Sequence, residues 1–144
     1  MNVAFFITPK QDTIYILENA TIRQAIEKME YHGYSAVPII NEKGKYISTL
    51  TEGDLLKQVK KMPDKTLQEI GKLPLREVEK HVKNRAVSIN ANIEDLILLI
   101  TNQNFVPVID DDRTFIGIVK RSTIINYFYQ MQYKEGKELK RVEG

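Results

Sequence analysis

Cysteine and tryptophan are absent from the 144 residues, and histidine occurs only as His32 and His81. Without cysteine there is no disulfide, no thiolate metal site and no cysteine nucleophile. Two histidines leave little material for a histidine-rich metal site or a Ser–His triad. An excess of one charge is also missing: 21 Lys and Arg stand against 19 Asp and Glu, a net +2 with no basic tract. That balance argues against nucleic acid or an anionic membrane as partner. No apolar run approaches the length that spans a bilayer. The patch Phe5-Phe6-Ile7 lacks the basic leader and small-residue cleavage site of a signal peptide. A soluble, cytoplasmic protein is the expectation. What is present, 42% hydrophobic and 28% charged residues, suffices for a buried core in one compact domain or two very small ones.

The chain repeats itself. Ala36-Val37-Pro38-Ile39-Ile40 returns as Phe105-Val106-Pro107-Val108-Ile109, and Tyr46-Ile47-Ser48-Thr49-Leu50 as Phe115-Ile116-Gly117-Ile118-Val119. From Pro38 to Leu56 the offset is a constant 69, with Ile47 falling on Ile116. Upstream, Asn19-Ala20-Thr21-Ile22 returns as Asn90-Ala91-Asn92-Ile93 at an offset of 71, so the second copy is two residues shorter between its first helix and next strand. Two copies at this spacing read as a duplicated small domain rather than a solenoid.

Each copy has the same layout. Short strands rich in β-branched residues are expected at Thr13–Leu17 and Ala86–Ile89. Helices follow, opened by the capping boxes Thr21/Gln24 and Asn92/Asp95. Ile22, Ala25, Ile26 and Met29 form one apolar face, and Gly33 is placed to end the first helix. A β-hairpin and a second helix, near 54–61 and 122–132, complete a β-α-β-β-α unit. The expected fold is therefore mixed α/β (α+β), two such repeats. Its divisions are repeat one at 1–61, a connector at 62–80 with a capped turn at Thr66/Glu69, repeat two at 81–133, and a charged tail at 134–144.

With these motifs in place, the chain resembles a tandem pair of cystathionine-β-synthase (CBS) domains, the arrangement called a Bateman module. The resemblance rests on Thr8-Pro9-Lys10, Thr13-Ile14-Tyr15-Ile16, Gly33-Tyr34-Ser35-Ala36-Val37-Pro38 and Thr49-Leu50-Thr51-Glu52-Gly53-Asp54-Leu55-Leu56. The second copy adds Phe105-Val106-Pro107-Val108 and Gly117-Ile118-Val119-Lys120-Arg121-Ser122-Thr123. No single motif is diagnostic; their doubled order at matched spacing is. The resemblance implies repeats packed by their sheets about a pseudo-two-fold axis, and two clefts for adenine-containing ligands such as AMP, ADP, ATP, S-adenosylmethionine or cyclic di-AMP. It implies a regulatory module without catalysis or a metal cofactor, the nucleotide being a regulatory ligand.

In such a family a Ser/Thr and an Asp three residues later, at the start of the second helix, hold phosphate and ribose. Here they are Thr51 and Asp54. A carboxylate has two acceptor oxygens for the two donors of a vicinal diol, and a helix N-terminus offers free N–H groups to phosphate. Thr13, Ile14, Tyr34, Ser35, Ala36, Val37 and Pro38 are expected to shape the adenine slot, with Pro38 at a strand edge or end. The competing reading of Thr51 and Asp54 is a plain capping box; Thr51 can cap while Asp54 contacts ligand.

The second copy departs from the pattern, with Lys120 for the Thr and Thr123 for the Asp. Its cleft should hold ribose poorly. Lys120 and Arg121 oppose the helix dipole, a placement that makes sense against an anion. They, with Thr123, Phe105 and Pro107, are candidate phosphate or second-cleft contacts; solvated surface charge is the alternative. Leu98 and Leu99 lie outside the core stripe of Ile93, Leu96, Ile97 and Ile100, so that face too must be covered. The resemblance, to a family that commonly dimerises through such helices, implies a homodimer contact, with the partner repeat or the connector as the alternative cover. A signalling role would further require an effector protein or the oligomer itself. A ligand-free dimerisation or scaffold module competes with this reading. His32 reads as a helix-end residue, and Asp110-Asp111-Asp112 as a solvated turn lacking the spacing of a calcium loop.

Overall fold

The computed structural model describes residues 1–81 and 84–134; the greater part of the expected tail lies outside the described residues. In repeat one, β2 (Ile16–Leu17) pairs in parallel with β3 (Ala36–Ile40), which pairs antiparallel with β4 (Tyr46–Thr51). Helix α1 (Ile22–His32) connects β2 to β3, and α2 (Glu52–Lys61) follows β4. Repeat two copies the plan with β5 (Val87–Ser88), β6 (Phe105–Ile109), β7 (Phe115–Lys120) and α4 (Arg121–Lys134). The ladder registers reproduce the two offsets: Ile16 pairs with Ile39 as Val87 pairs with Val108.

Local signals account for most element ends. Thr21 and Gln24 form a reciprocal capping box, and Gly33 closes α1 in the left-handed conformation at φ 69°, which costs glycine no Cβ clash. The connector carries α3 (Leu67–Gly71), capped by Thr66 and Glu69. It folds back on repeat one, burying Ile70, Leu75 and Val78 in that repeat's core.

Three expectations are corrected. The first helix of repeat two is two 3₁₀ turns, Ile93–Leu96 and Leu99–Thr101, although the Asn92/Asp95 box is present. The two missing residues supply the reason. The 11 residues of α1 rise about 16 Å at about 1.5 Å each, and roughly nine residues reach a similar length only at the 3₁₀ rise of about 2.0 Å. Pro38 sits in a central strand, not at an edge. It is tolerated because β2 covers only Ile39 and Ile40, so the flank beside Pro38 offers no partner; Pro107 repeats this in β6. The strands expected over 13–17 and 86–89 shrink to two residues each.

A further strand, β1 (Thr8–Pro9), crosses to the other repeat and pairs antiparallel with β7, Thr8 opposite Ile118 and Pro9 opposite Gly117. Ahead of it, Val3 is fully buried in the core of repeat two, its N–H bonded to Ala91 O at 2.9 Å. The first residues of the chain thus pack on its second half.

The repeats meet about a pseudo-two-fold axis along which equivalent residues face one another. Tyr46 stacks on Phe115 with ring centroids 6.5 Å apart, and Lys45 bridges Thr114. Asn104 Nδ2 donates to Ser35 Oγ at 3.0 Å. Ile40, Tyr46, Phe105, Phe115 and Ile118 form an apolar cluster between the sheets, each large side chain contributing about 1.5–3 kcal/mol by burial. Burial also raises the Tyr46 phenol above its ordinary value, against a lowering bond to Thr49 Oγ1.

Candidate functional site

A cavity of about 460 Å³ opens between the repeats, within the roughly 300–1,000 Å³ usual for small-molecule sites. Repeat one supplies Thr13 and Ile14 from the turn before β2, and Tyr34, Ser35, Ala36 and Pro38 from the entry to β3. Repeat two supplies Asn104 and Phe105 at the entry to β6, Ile118 of β7, and Lys120, Arg121 and Ser122 where β7 runs into α4. Thr8, Asp12 and Gly33 complete the lining. Alternation along β3 sends Ala36 and Pro38 toward this space and Val37 into the core of repeat one.

Several bonds fix the walls. Thr13 Oγ1 donates to Pro9 O at 2.8 Å, tying the loop of repeat one to β1. Arg121 donates through Nε and Nη2 to Gln103 O at 3.2 and 2.9 Å. Ile14 is different: among the described residues neither its backbone N–H nor its C=O has a hydrogen-bond partner. Ile14, which lines the cavity just ahead of β2, thus has a bare backbone donor and acceptor.

The start of α4 is the second unusual feature. Helix α2 is closed by a capping box in which Thr51 Oγ1 accepts from the Asp54 N–H and Asp54 Oδ2 accepts from the Thr51 N–H. At the equivalent position α4 has Lys120, which has no acceptor. Its cation stands exposed beside the helix N-terminus, with Ser122 on the same cavity wall. The Arg121 N–H is taken by Asn104 O at 3.0 Å, but among the described residues no side chain caps the Ser122 N–H. A free amide, a hydroxyl and a cation together suit phosphate oxygens. Asp12 is the one carboxylate in the lining.

Nine of the expected residues converge here: Thr13, Ile14, Tyr34, Ser35, Ala36, Pro38, Phe105, Lys120 and Arg121. Val37, Pro107, Thr123, Thr51 and Asp54 do not line this cavity. Asp54 is only 2% exposed, and its Oδ1 accepts from the His81 N–H at 3.0 Å while Oδ2 serves the cap. The physical reason is the two-fold packing, which sets the helix start of each repeat against the sheet of the other. Beside Asp54, Lys80 is lowered from its usual pKa by burial, against the upward pull of Asp54 and Glu18. Thr8, Asp12, Asn104, Ile118 and Ser122 escaped the sequence reading. Ser122 and Asn104 were within reach of the duplication, as the counterparts of Gly53 and Ser35; Thr8 was not, because its place depends on the crossing of β1.

The CBS domain family matches residues 6–61 and 70–130, one copy over each repeat. The chain belongs to that family as a CBS domain pair. Its fold is that of solved CBS-pair proteins. CbpB in complex with c-di-AMP is similar at a TM-score of 0.80 and 20% identity, over 94% of this chain and 89% of that one. Listeria monocytogenes CbpB, also in complex with c-di-AMP, gives 0.77 and 17%, over 92% and 98%. CBSX2 in complex with AMP gives 0.68 and 22%, over 91% and 98%. A search of curated proteins by sequence gave no match. Among the described residues no helix is long and apolar enough to cross a membrane.

Proposed function

We propose that the inter-repeat cavity binds an adenine nucleotide, of the AMP, ADP, ATP or cyclic di-AMP type, and that the chain is a regulatory module rather than an enzyme. The observation that carries this is the cationic start of α4, without a side-chain cap, on the wall of a slot that also holds the apolar residues Ala36, Pro38, Phe105 and Ile118. The base enters between Ala36, Pro38, Phe105 and Ile118 and pairs with the bare edge of Ile14. Phosphate lies against Lys120 and the hydroxyl and backbone N–H of Ser122. Asp12 is the carboxylate available to the ribose hydroxyls, in the role that the family resemblance implied for Asp54. The c-di-AMP and AMP complexes of the fold relatives agree with this choice of ligand class.

Output then passes through a partner protein or through a homodimer. Leu98, 78% exposed, and its neighbour Ile97 are the apolar surface for that contact, while Leu99 is partly buried in the core. Coupling requires that nucleotide and partner favour the same state.

Titration calorimetry with adenosine, AMP, ADP, ATP and c-di-AMP tests the site. Lys120→Glu is expected to weaken the phosphate-bearing ligands at least tenfold and adenosine little. No heat from any of the five at millimolar concentration would reject the reading in favour of a ligand-free scaffold.

A further inference from the structure

The open cavity has a counterpart about the pseudo-two-fold axis, and there the chain fills the base position itself. By the two offsets, Ile14 corresponds to Arg85 and Tyr34 to Gln103. In the open cavity the backbone edge of Ile14 is bare and Tyr34 is 44% exposed. In the counterpart, Gln103 is turned inward and only 5% exposed. Its Oε1 accepts from the Arg85 N–H at 2.8 Å, and its Nε2 donates to Arg85 O and to Phe105 O, each at 3.1 Å. We propose that Gln103 is a built-in occupant of the second cleft, its carboxamide standing where a nucleobase edge would pair, so that the native chain takes one nucleotide and loss of Gln103 opens a second site.

The chemistry of the edge supports the substitution. A carboxamide sets one donor and one acceptor side by side; adenine does the same with its exocyclic amine and adjacent ring nitrogen. Either satisfies the N–H and C=O of one extended residue. Arg85 therefore offers its edge as Ile14 does, and Gln103 has taken it. The ribose side of this cleft is closed in the same way. Thr51 and Asp54 belong to it by symmetry, and the His81 N–H holds Asp54 Oδ1. Among the described residues no buried side-chain nitrogen or oxygen lacks a partner, so the closed cleft is internally satisfied. Arg121 connects the two sites, since it lines the open cavity and holds the Gln103 carbonyl.

This inference rests on the nucleotide reading of the open cavity, and the two are separable by stoichiometry. AMP is titrated calorimetrically into the native chain, Gln103→Ala and Gln103→Ser. One equivalent for the native chain and two for either variant is expected, with second-site affinity within about tenfold of the first. One equivalent throughout overturns the role of Gln103 and keeps the open site. None for the native chain with one for a variant removes the open site and keeps the role of Gln103. Two for the native chain, or none throughout, overturns the inference. If neither variant folds, the native chain decides by NMR. The Gln103 side-chain amide protons should exchange at least 100-fold more slowly than those of an exposed glutamine and stay unshifted by AMP. Fast exchange or an AMP-dependent shift refutes the proposal.

Discussion

Replacing Gly117 by alanine tests whether the crossing strand β1 builds the cavity wall. A Cβ at Gly117 would lie 2.2 Å from Thr8 O, 2.8 Å from Ile7 Cγ2 and 3.1 Å from Pro9 Cα. Two of these are backbone atoms, so no side-chain rotation relieves them, and β1 must retreat by about 1 Å to reach ordinary contact. That displacement stretches the short Thr8–Pro9 ladder on β7. Overpacking costs about 1–3 kcal/mol and a lost ladder bond about 1 kcal/mol; the combined expectation is about 2–4 kcal/mol, or a fall in Tm of roughly 7–13 °C for a chain of this size. Because Thr13 is tied to Pro9 O, the cavity wall moves with β1 and nucleotide affinity falls as well. Ser48, the counterpart of Gly117 in repeat one, pairs with Ile39 but lies on the edge strand β4, with no further strand on its outer side among the described residues, and Ser48→Ala should stay within about 0.5 kcal/mol of the parent. Differential scanning calorimetry with and without AMP reads both. A Gly117→Ala chain melting within about 2 °C of the parent, with unchanged AMP binding, would refute the argument.

Further expectations concern Asp54, Leu98 and acid. Asp54→Ala removes the acceptor of the part-buried Thr51 and His81 N–H bonds, so stability should drop by about 1–3 kcal/mol at about 0.5–1.5 kcal/mol per lost bond; an unchanged urea midpoint would contradict the structural role. Leu98→Glu should shift sedimentation from dimer to monomer, and an unaltered dimer fraction would exclude that face. Glu79, hydrogen-bonded by Lys61, and Glu94, held chiefly by its own backbone N–H with help from the Met1 amine and Tyr127, are both lowered from the ordinary carboxylate value. Their stabilisation is present above that value and is lost as pH falls through the folded-state values. A Glu79→Gln/Glu94→Gln chain should therefore show a shallower fall in urea midpoint between pH 6 and pH 3 than the parent.

The duplication made most of the architecture readable, because local chemistry repeats with the sequence. Capping boxes at Thr21/Gln24, Thr51/Asp54 and Thr66/Glu69 appear where their spacing put them. The pairing of repeats was less accessible. Thr51 and Asp54 read naturally with Thr13 and Pro38 because all four lie in one repeat, yet packing across the axis gives the open cavity the helix start of the other. Long-range register also hid β1: nothing local in Thr8-Pro9 announces Ile118 as its partner. Gln103 was invisible for a simpler reason. A glutamine in a polar turn looks solvated until a backbone edge is found within its reach.

The crossing of β1 also sets an order of events during synthesis. Thr8 leaves the ribosome long before Ile118, the residue it must pair with, and at about 5–20 residues per second the wait is roughly 6–20 s. Through that interval Val3, Phe6 and Ile7, which end against the core of repeat two, have no surface to cover them. A segment made well before repeat two is thus seated only after it, and a chain cut within the connector would leave one fragment with an unpartnered apolar arm and the other with an open sheet edge.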